Sequence, residues 1–414
     1  MSVREIAEKA KRAQPQIAKA STDKKNKILQ KIAQELWNRR DEIIQSNLKD
    51  IENAKKNGVG SAMIDRLKLD EKRIKGMIKS VEEVASLPDP VGKIVEMNRR
   101  PNGLIVGRMR IPLGVIGVIY EARPNVTVDI AALAIKSSNA VVLRGGSEAI
   151  NSNLVLTKVI KDAISSEGIS PEIIGFIEDT SRERIVEMIK LEDLLELVIP
   201  RGGESLIRFV TENSRVPVLK HFKGVCHVFV DEYADLEKAF KICLNAKVQR
   251  PSVCNAMETL LVHKNIAESF LPKMSEIYKE QNVELRGCEI TRRYVKWAKP
   301  ATEDDWYAEY LDLILAVRVV ENIDEAIEHI KKYGSSHTDA IVTENYTNAM
   351  RFINEVDSSS VMVNASTRFS DGYEYGLGAE VGISTTKLHA YGPMGLEGLT
   401  ALKWVVFGDG HIRT

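Results

Sequence analysis

Residues Ile111–Gly146 read IPLGVIGVIYEARPNVTVDIAALAIKSSNAVVLRGG. Ile111–Tyr120 is apolar and β-branched, interrupted by two glycines, the pattern of a strand buried on both faces. Val126–Lys136 repeats its apolar residues at helical spacing, and Ala140–Leu143 is again a short apolar strand. The turn Arg144-Gly145-Gly146-Ser147 follows it. A strand, a helix and a strand joined by short glycine-rich turns predict a parallel sheet with helices on its faces.

The alternation continues downstream. Asn153–Ser165, Arg182–Lys190 and Ser205–Thr211 read as helices; Ile173–Ile177, Leu195–Ile199 and Val216–Leu219 read as strands. Ligands bind such sheets beyond the carboxyl ends of the strands. Arg144–Ser147 and the turn Pro200-Arg201-Gly202-Gly203 lie at such ends. Neither is G-x-G-x-x-G, and G-x-x-x-x-G-K-[ST] is absent, which disfavours a standard Rossmann fingerprint and a P-loop ATPase. A second alternating unit runs from the helix Leu236–Val248 through the strand Thr259–Val262 to a strand at Val361–Val363. Within it Arg286–Tyr310 reads as irregular and aromatic. The glycine-rich segment 364–398 carries enough aromatic and branched residues to predict ordered loops near a site, and Thr400–Phe407 predicts a closing strand.

Upstream, residues 2–86 read as helices, with Asp41 as a helix cap and Asn57-Gly58 as a stop. Residues 93–110 predict a hairpin around Asn102-Gly103. The chain has 414 residues, 58 basic and 58 acidic, so charge points to neither nucleic acid nor membrane. Charged residues at 28% and hydrophobic ones at 44% fit an ordinary soluble enzyme. No apolar run approaches the ~18 residues of a membrane span, and the charged N-terminus lacks a signal-peptide core. Four cysteines without a C-x-x-C pair suggest neither a metal set nor a disulfide framework, and fit a cytoplasmic protein. Cys226 and Cys243 lie in apolar patterns and read as core.

The remaining cysteine with a candidate role is Cys254, in KVQRPSVCNAMETLLVH (Lys247–His263). It sits in a polar turn before an apolar strand, with Arg250 and Lys247 close upstream. A thiol on a turn near cations can hold its thiolate form, which is the nucleophile. A small buried hydrophobe is the alternative reading.

VQRPSVCNAMETLLV, GVIGVIYEARPNVT, LRGGSEAINSN and VGISTTKLHAYGPMGLEGLT together resemble the gamma-glutamyl phosphate reductases, a branch of the aldehyde dehydrogenase superfamily. The resemblance runs from the first helices to Trp404. It implies a Rossmann-like cofactor domain (1–96 and 111–228), a second α/β catalytic domain (229–380) and an oligomerisation arm (97–110 and 381–414). It implies reduction of L-glutamyl 5-phosphate to L-glutamate 5-semialdehyde and phosphate in proline biosynthesis, by a homodimer or homotetramer, with a glutamate 5-kinase as candidate partner.

Cys254 then matches the nucleophile and Asn125 the amide that donates to the oxyanion; before VTVDIAALAI, Asn125 also fits a helix N-cap. Arg144-Gly145-Gly146-Ser147-Glu148 matches the segment that holds the adenine ribose. An arginine there pairs with a 2′-phosphate through its planar fork, which implies NADPH. Arg201, Gly202 and Gly203 match a pyrophosphate turn that in relatives is G-S-T, a departure that weakens the match. Glu309, in WYAEYLDLILAV, matches the carboxylate that holds the nicotinamide ribose, and otherwise reads as a solvated side chain. Lys220, His221, Arg250 and Arg368 are the candidate cations for the substrate's phosphate and carboxylate.

Oxidising relatives carry a general-base glutamate where this chain has Leu219-Lys220-His221-Phe222-Lys223-Gly224, with no carboxylate. A reductase of an acyl phosphate needs no base to activate water. An aldehyde-oxidising or coenzyme A-acylating dehydrogenase, a thiol hydrolase using Cys254 with His221 or His263, and a non-catalytic metabolite-binding protein are the alternatives.

Overall fold

The structure, a computed structural model, describes residues 1–220 and 222–413. His221, one of the expected substrate residues, lies outside the described residues. The chain forms two compact units: Met1–Lys220 with Gly376–Gly382 and Met394–Thr414, and His221–Tyr375 with Ile383–Pro393.

The first unit opens with helices. Helix α1 (Val3–Ala18) starts on a capping box between Ser2 and Glu5 and buries Ile6, Ala10, Ala13 and Ile17 at helical spacing. Helix α2 (Thr22–Asn38) is capped by Ser21. Helix α3 (Arg40–Lys56) has Arg39 at its cap position; Asp41, expected there, lies in the first turn, where its charge still favours the helix N-terminus. Gly58, at φ +69°, follows the helix end as read. Helices α4 (Ser61–Leu67) and α5 (Glu71–Ser86) complete the set.

Strands β1 (Ile94–Arg99) and β2 (Ile105–Pro112) form the expected antiparallel hairpin. The single strand expected over Ile111–Tyr120 is two strands in two sheets. Pro112 ends β2, Gly114 turns the corner at φ +133°, and β3 (Val115–Tyr120) begins the parallel sheet. Helix α6 (Asn125–Lys136), β4 (Ala140–Gly145), α7 (Ile150–Ser166), β5 (Ile174–Phe176), α8 (Arg182–Met188), β6 (Leu197–Arg201) and α9 (Glu204–Asn213) follow. The sheet order is β5-β4-β3-β6, all parallel. The expected strand Val216–Leu219 contributes only one bridge, Val218 to Val198. Strand order reverses between β3 and β6, so the turns after these strands flank the crevice where such sheets bind ligands. Thr400–Phe407 is a strand as expected and pairs antiparallel along β2, making a three-stranded sheet with β1.

The second unit contains β7 (Cys226–Val230), α10 (Leu236–Val248), β8 (Met257–His263), α11 (Ala267–Glu280), β9 (Glu284–Gly287) and α12 (Glu289–Tyr294). It continues with β10 (Lys299–Pro300), α13 (Glu303–Tyr307), β11 (Ile314–Val320), α14 (Ile323–Tyr333), β12 (Thr338–Val342), α15 (Tyr346–Glu355) and β13 (Ser360–Val363). The order is β10-β9-β11-β8-β7-β12-β13, every neighbouring pair parallel. The division between units falls before β7, whereas the sequence places it at 228, inside that strand. Residues 286–310, expected to be irregular, hold short elements and the buried Trp306. Among the described residues no helix is long and apolar enough to cross a membrane.

Candidate active site

In the second unit, Cys254 lies between the end of α10 and the start of β8, at the amino end of the sheet. Gly224 precedes β7 and Glu309 precedes β11, so three strands deliver these residues to one edge. The thiol is free and half-buried. Its main chain is fixed from below. The Cys226 Sγ–H donates to the Cys254 carbonyl at 3.2 Å. Burial pushes the Cys226 thiol well up, so it stays protonated and a donor. Gly224 packs against the same peptide: a Cβ there would overlap the Cys254 carbonyl oxygen. The Gly224 N–H donates to Glu309 Oε1 at 2.8 Å. Asn255 Nδ2 donates to the Ser370 carbonyl at 2.8 Å, tying the turn to the loop that carries Arg368.

Two of the four expected substrate cations meet here. Arg368 Nε donates to Gln249 Oε1 at 2.9 Å. Burial first, and then the like charge of Arg250, push the Arg368 guanidinium down, and Cys254 lies within reach of its field. Two cations held together beside a thiol suit an anionic substrate. Lys220 belongs to the first unit and is half-buried.

Lys247 does not play the part its position suggested. Its Nζ is fully buried against Glu258 Oε2 at 2.6 Å, so it faces that carboxyl. The pair joins the last turn of α10 to the second residue of β8 and so staples the two flanks of the Cys254 turn.

In the first unit the expected cofactor residues 144–148 and 201–203 lie at the carboxyl ends of β4 and β6, while Glu309 lies in the second unit. Arg144 is the penultimate residue of β4, and its Nη2 donates to the carbonyls of Thr180 and Ser181. Its Nε is buried and has no hydrogen-bond partner among the described residues. Burial pushes the guanidinium down, opposed by the charges of Glu148, Glu121 and Asp179. Glu148 folds back over Gly146 and accepts from the Ala122 N–H. After β6, Gly203 N–H donates to Glu121 Oε2 at 3.0 Å, and a Cβ on Gly202 would overlap that carboxylate. The expected pyrophosphate turn therefore presents a backbone donor at the start of α9, where an anion is favoured, and Glu121 already uses it. The glycine turns and the orphaned Arg144 Nε fit a phosphorylated dinucleotide.

Asn125 is the first residue of α6, and the cap position is Pro124, with no side-chain cap bond. The cap reading of Asn125 is thus replaced: its Nδ2 donates to Asp129 Oδ2 at 2.9 Å. Sequence reasoning passed over Asp129, Glu121, Gly224, Asn255 and Glu258. A carboxylate at the head of the apolar run METLLV was the legible signal for a buried partner at Glu258.

Two parallel α/β sheets, one with glycine turns at its carboxyl edge and one with a half-buried cysteine before a strand at its amino edge, fit a dehydrogenase class. The aldehyde dehydrogenase family profile matches residues 1–287. A gamma-glutamyl phosphate reductase of Thermodesulfovibrio yellowstonii is 60% identical over 407 residues, covering 98% of this chain and 97% of that protein. The crystal structure of gamma-glutamyl phosphate reductase from Thermotoga maritima superposes with a TM-score of 0.98 at 51% identity, covering 100% of both chains. An acetylating aldehyde dehydrogenase from Geobacillus thermoglucosidasius, at 17% identity and a TM-score of 0.72 over 100% of this chain and 97% of that one, shares the fold. The chain belongs to the aldehyde dehydrogenase family and, within it, to the gamma-glutamyl phosphate reductases.

Proposed function

We propose that this protein reduces L-glutamyl 5-phosphate to L-glutamate 5-semialdehyde and phosphate with NADPH, the second step of proline biosynthesis. The observation that carries the reading is the Cys254 turn, locked by Cys226 and Gly224 and flanked by Arg250 and Arg368. The Cys254 thiolate attacks the acyl carbon, and the Asn125 amide and the Cys254 N–H stabilise the oxyanion. Phosphate departs with the bonding pair, leaving a thioacyl group on Cys254; Arg250 and Arg368 bind the phosphate and so favour its departure. NADPH, when bound, supplies the hydride that reduces this thioacyl carbon. The hemithioacetal then collapses to aldehyde and the Cys254 thiolate. Arg144, Gly145, Gly146, Ser147 and Glu148 would hold the adenosine end of the cofactor, Arg201, Gly202 and Gly203 its pyrophosphate, and Glu309 its nicotinamide ribose. For Glu148, Glu309 and Gly203 this requires exchanging their present backbone or carboxylate partners. The free thiols at all four cysteines fit a reducing cytoplasm.

Cys254→Ala is expected to abolish reduction of glutamyl phosphate generated in situ while NADPH still quenches protein fluorescence. Retained turnover refutes the mechanism. We also propose that Thr400–Phe407 pairs with a second copy. It is an edge strand with Trp404 65% and Phe407 56% exposed, the kind of edge that monomers cover or blunt. Light scattering at micromolar concentration should give at least a dimer.

A further inference from the structure

Asp129 lies one turn beyond Asn125 on α6 and accepts hydrogen bonds on both carboxyl oxygens. Asn125 Nδ2 donates to Oδ2 at 2.9 Å, and Ser80 Oγ on α5 donates to Oδ1 at 3.1 Å. Burial pushes this carboxyl up, opposed by those two bonds and by the charge of Arg201. An i,i+4 Asn–Asp pair adds little to the stability of the helix itself. Helix stability is a weak reason to hold a carboxylate in a half-buried place. Orientation is a stronger one. A primary amide has a donor end and an acceptor end of nearly the same shape. Against a carboxylate only the donor end is tolerated, since a flipped amide would set two acceptors face to face. One N–H of Asn125 therefore goes to Asp129, and the second N–H of the same nitrogen has a fixed direction. Ser80 holds the other carboxyl oxygen, so the carboxylate cannot swing away with the amide.

We propose that Asp129 is the positioning residue for Asn125: anchored by Ser80, it sets the amide in its donor orientation and aims its second N–H at the substrate oxyanion. This rests on the assignment of Asn125 as an oxyanion donor. Asp129 itself does not touch substrate. Preorganised donors lower a barrier because their orientation is fixed before charge develops, and a mobile amide gives part of that up.

The test is a double-mutant cycle read as kcat and KM separately, with NADPH affinity and melting temperature as controls. Asp129→Ala is expected to lower kcat by up to about 10²-fold, the scale of a misplaced catalytic group, with KM and cofactor affinity within twofold of wild type. Asp129→Asn should recover most of the rate, because its carbonyl can take the Asn125 proton while its amide donates to Ser80. In the Asn125→Ala background, Asp129→Ala should cost nothing further. An equal loss in both backgrounds means Asp129 is merely structural and overturns the proposal, as does an unchanged kcat in Asp129→Ala. Should Asp129→Ala fail to fold, Ser80→Ala releases the same carboxylate from its other end: a several-fold kcat loss confined to the Asn125-containing enzyme supports the proposal, and no loss or an equal loss in both backgrounds overturns it. If Asn125→Ala alone turns over at the wild-type rate, the oxyanion assignment itself fails, and the proposal with it; that result is distinct from an Asn125 that matters and an Asp129 that does not.

Discussion

The Cα of Gly224 lies against the carbonyl of Cys254, so closely that no side chain fits between them. The amino end of β7 is thus the floor on which the nucleophile's turn rests. Gly224→Ala must move that turn, because the overlap is with main chain and not with a side chain that could rotate away. Displacement by about 1 Å costs on the order of 10²-fold in rate. We expect kcat to fall by about that factor and cofactor affinity to fall less, because, of the proposed cofactor residues, Glu309 is the one bonded to Gly224. Wild-type turnover in Gly224→Ala would show that this floor does not set the position of the thiol.

The cysteines should separate chemically. Cys226 and Cys243 are buried, with burial pushing both thiols up, whereas Cys254 is half-buried. Only thiolates alkylate at a useful rate. Iodoacetamide on the native protein at neutral pH should label Cys254 in proportion to lost activity and leave Cys226 and Cys243 unmodified, as read by peptide mass mapping. Inactivation that tracks Cys226 or Cys243 would contradict the assignment.

The parallel sheets were legible because buried parallel strands announce themselves as continuous apolar runs, as in Ala140–Gly145. The corner at Gly114 was not, since an apolar run carries no mark of which sheet each half joins. Val216–Leu219 has strand composition but finds only one bridge. At the site, Cys254, Arg250 and Arg368 could be named from residue type and resemblance. Their supports could not, because Cys226 and Gly224 lie about 30 residues before the turn they hold, and nothing local records that contact. Lys247 shows the converse error: proximity in sequence to Cys254 suggested electrostatic help, and the fold turns its Nζ to Glu258.

That buried pair carries a pH signature. Burial outweighs the Lys247 charge and pushes the Glu258 carboxyl from 4.5 to about 7. Between those values the folded protein keeps a proton that the unfolded chain has released. Stability from this group is therefore fully present below the unfolded value and lost as pH rises through about 7. Glu258→Gln removes that titration. The stability advantage of wild type over Glu258→Gln should therefore shrink between pH 5 and pH 8 in urea titrations. An advantage that grows with pH would mean the pair is held as a fully charged salt bridge.

Arg144 offers a test of cofactor choice. Its guanidinium rests on the Thr180 and Ser181 carbonyls with Nε unpartnered, so it is anchored yet still has a donor to give. If it reads the 2′-phosphate, Arg144→Ala should weaken NADPH by roughly 1.5–3 kcal/mol and NADH by much less, the scale of a charge-assisted hydrogen bond. Titrating both cofactors by fluorescence decides it. Equal losses would make Arg144 a strut between β4 and α8.

The last prediction concerns water. Leu219–Gly224 contains no carboxylate. The acids nearest in connection to the Cys254 turn are committed elsewhere: Glu309 accepts from the Gly224 N–H, and Glu258 is buried against Lys247. None is arranged as a free base to activate water, and a general base contributes about 10²–10⁴-fold when it is present. A thioacyl group on Cys254 should therefore hydrolyse slowly, while phosphate, drawn by Arg250 and Arg368, should attack it readily. Run in reverse, oxidation of the semialdehyde by NADP should depend on phosphate, with arsenate able to replace it. Arg368→Ala should raise the phosphate concentration needed for half-maximal rate more than it changes affinity for the semialdehyde. The measurement is NADP reduction in phosphate-free buffer against the same buffer with phosphate added. Equal rates would make water the acceptor, require a base other than Glu309 and Glu258, and overturn the acyl-phosphate reading.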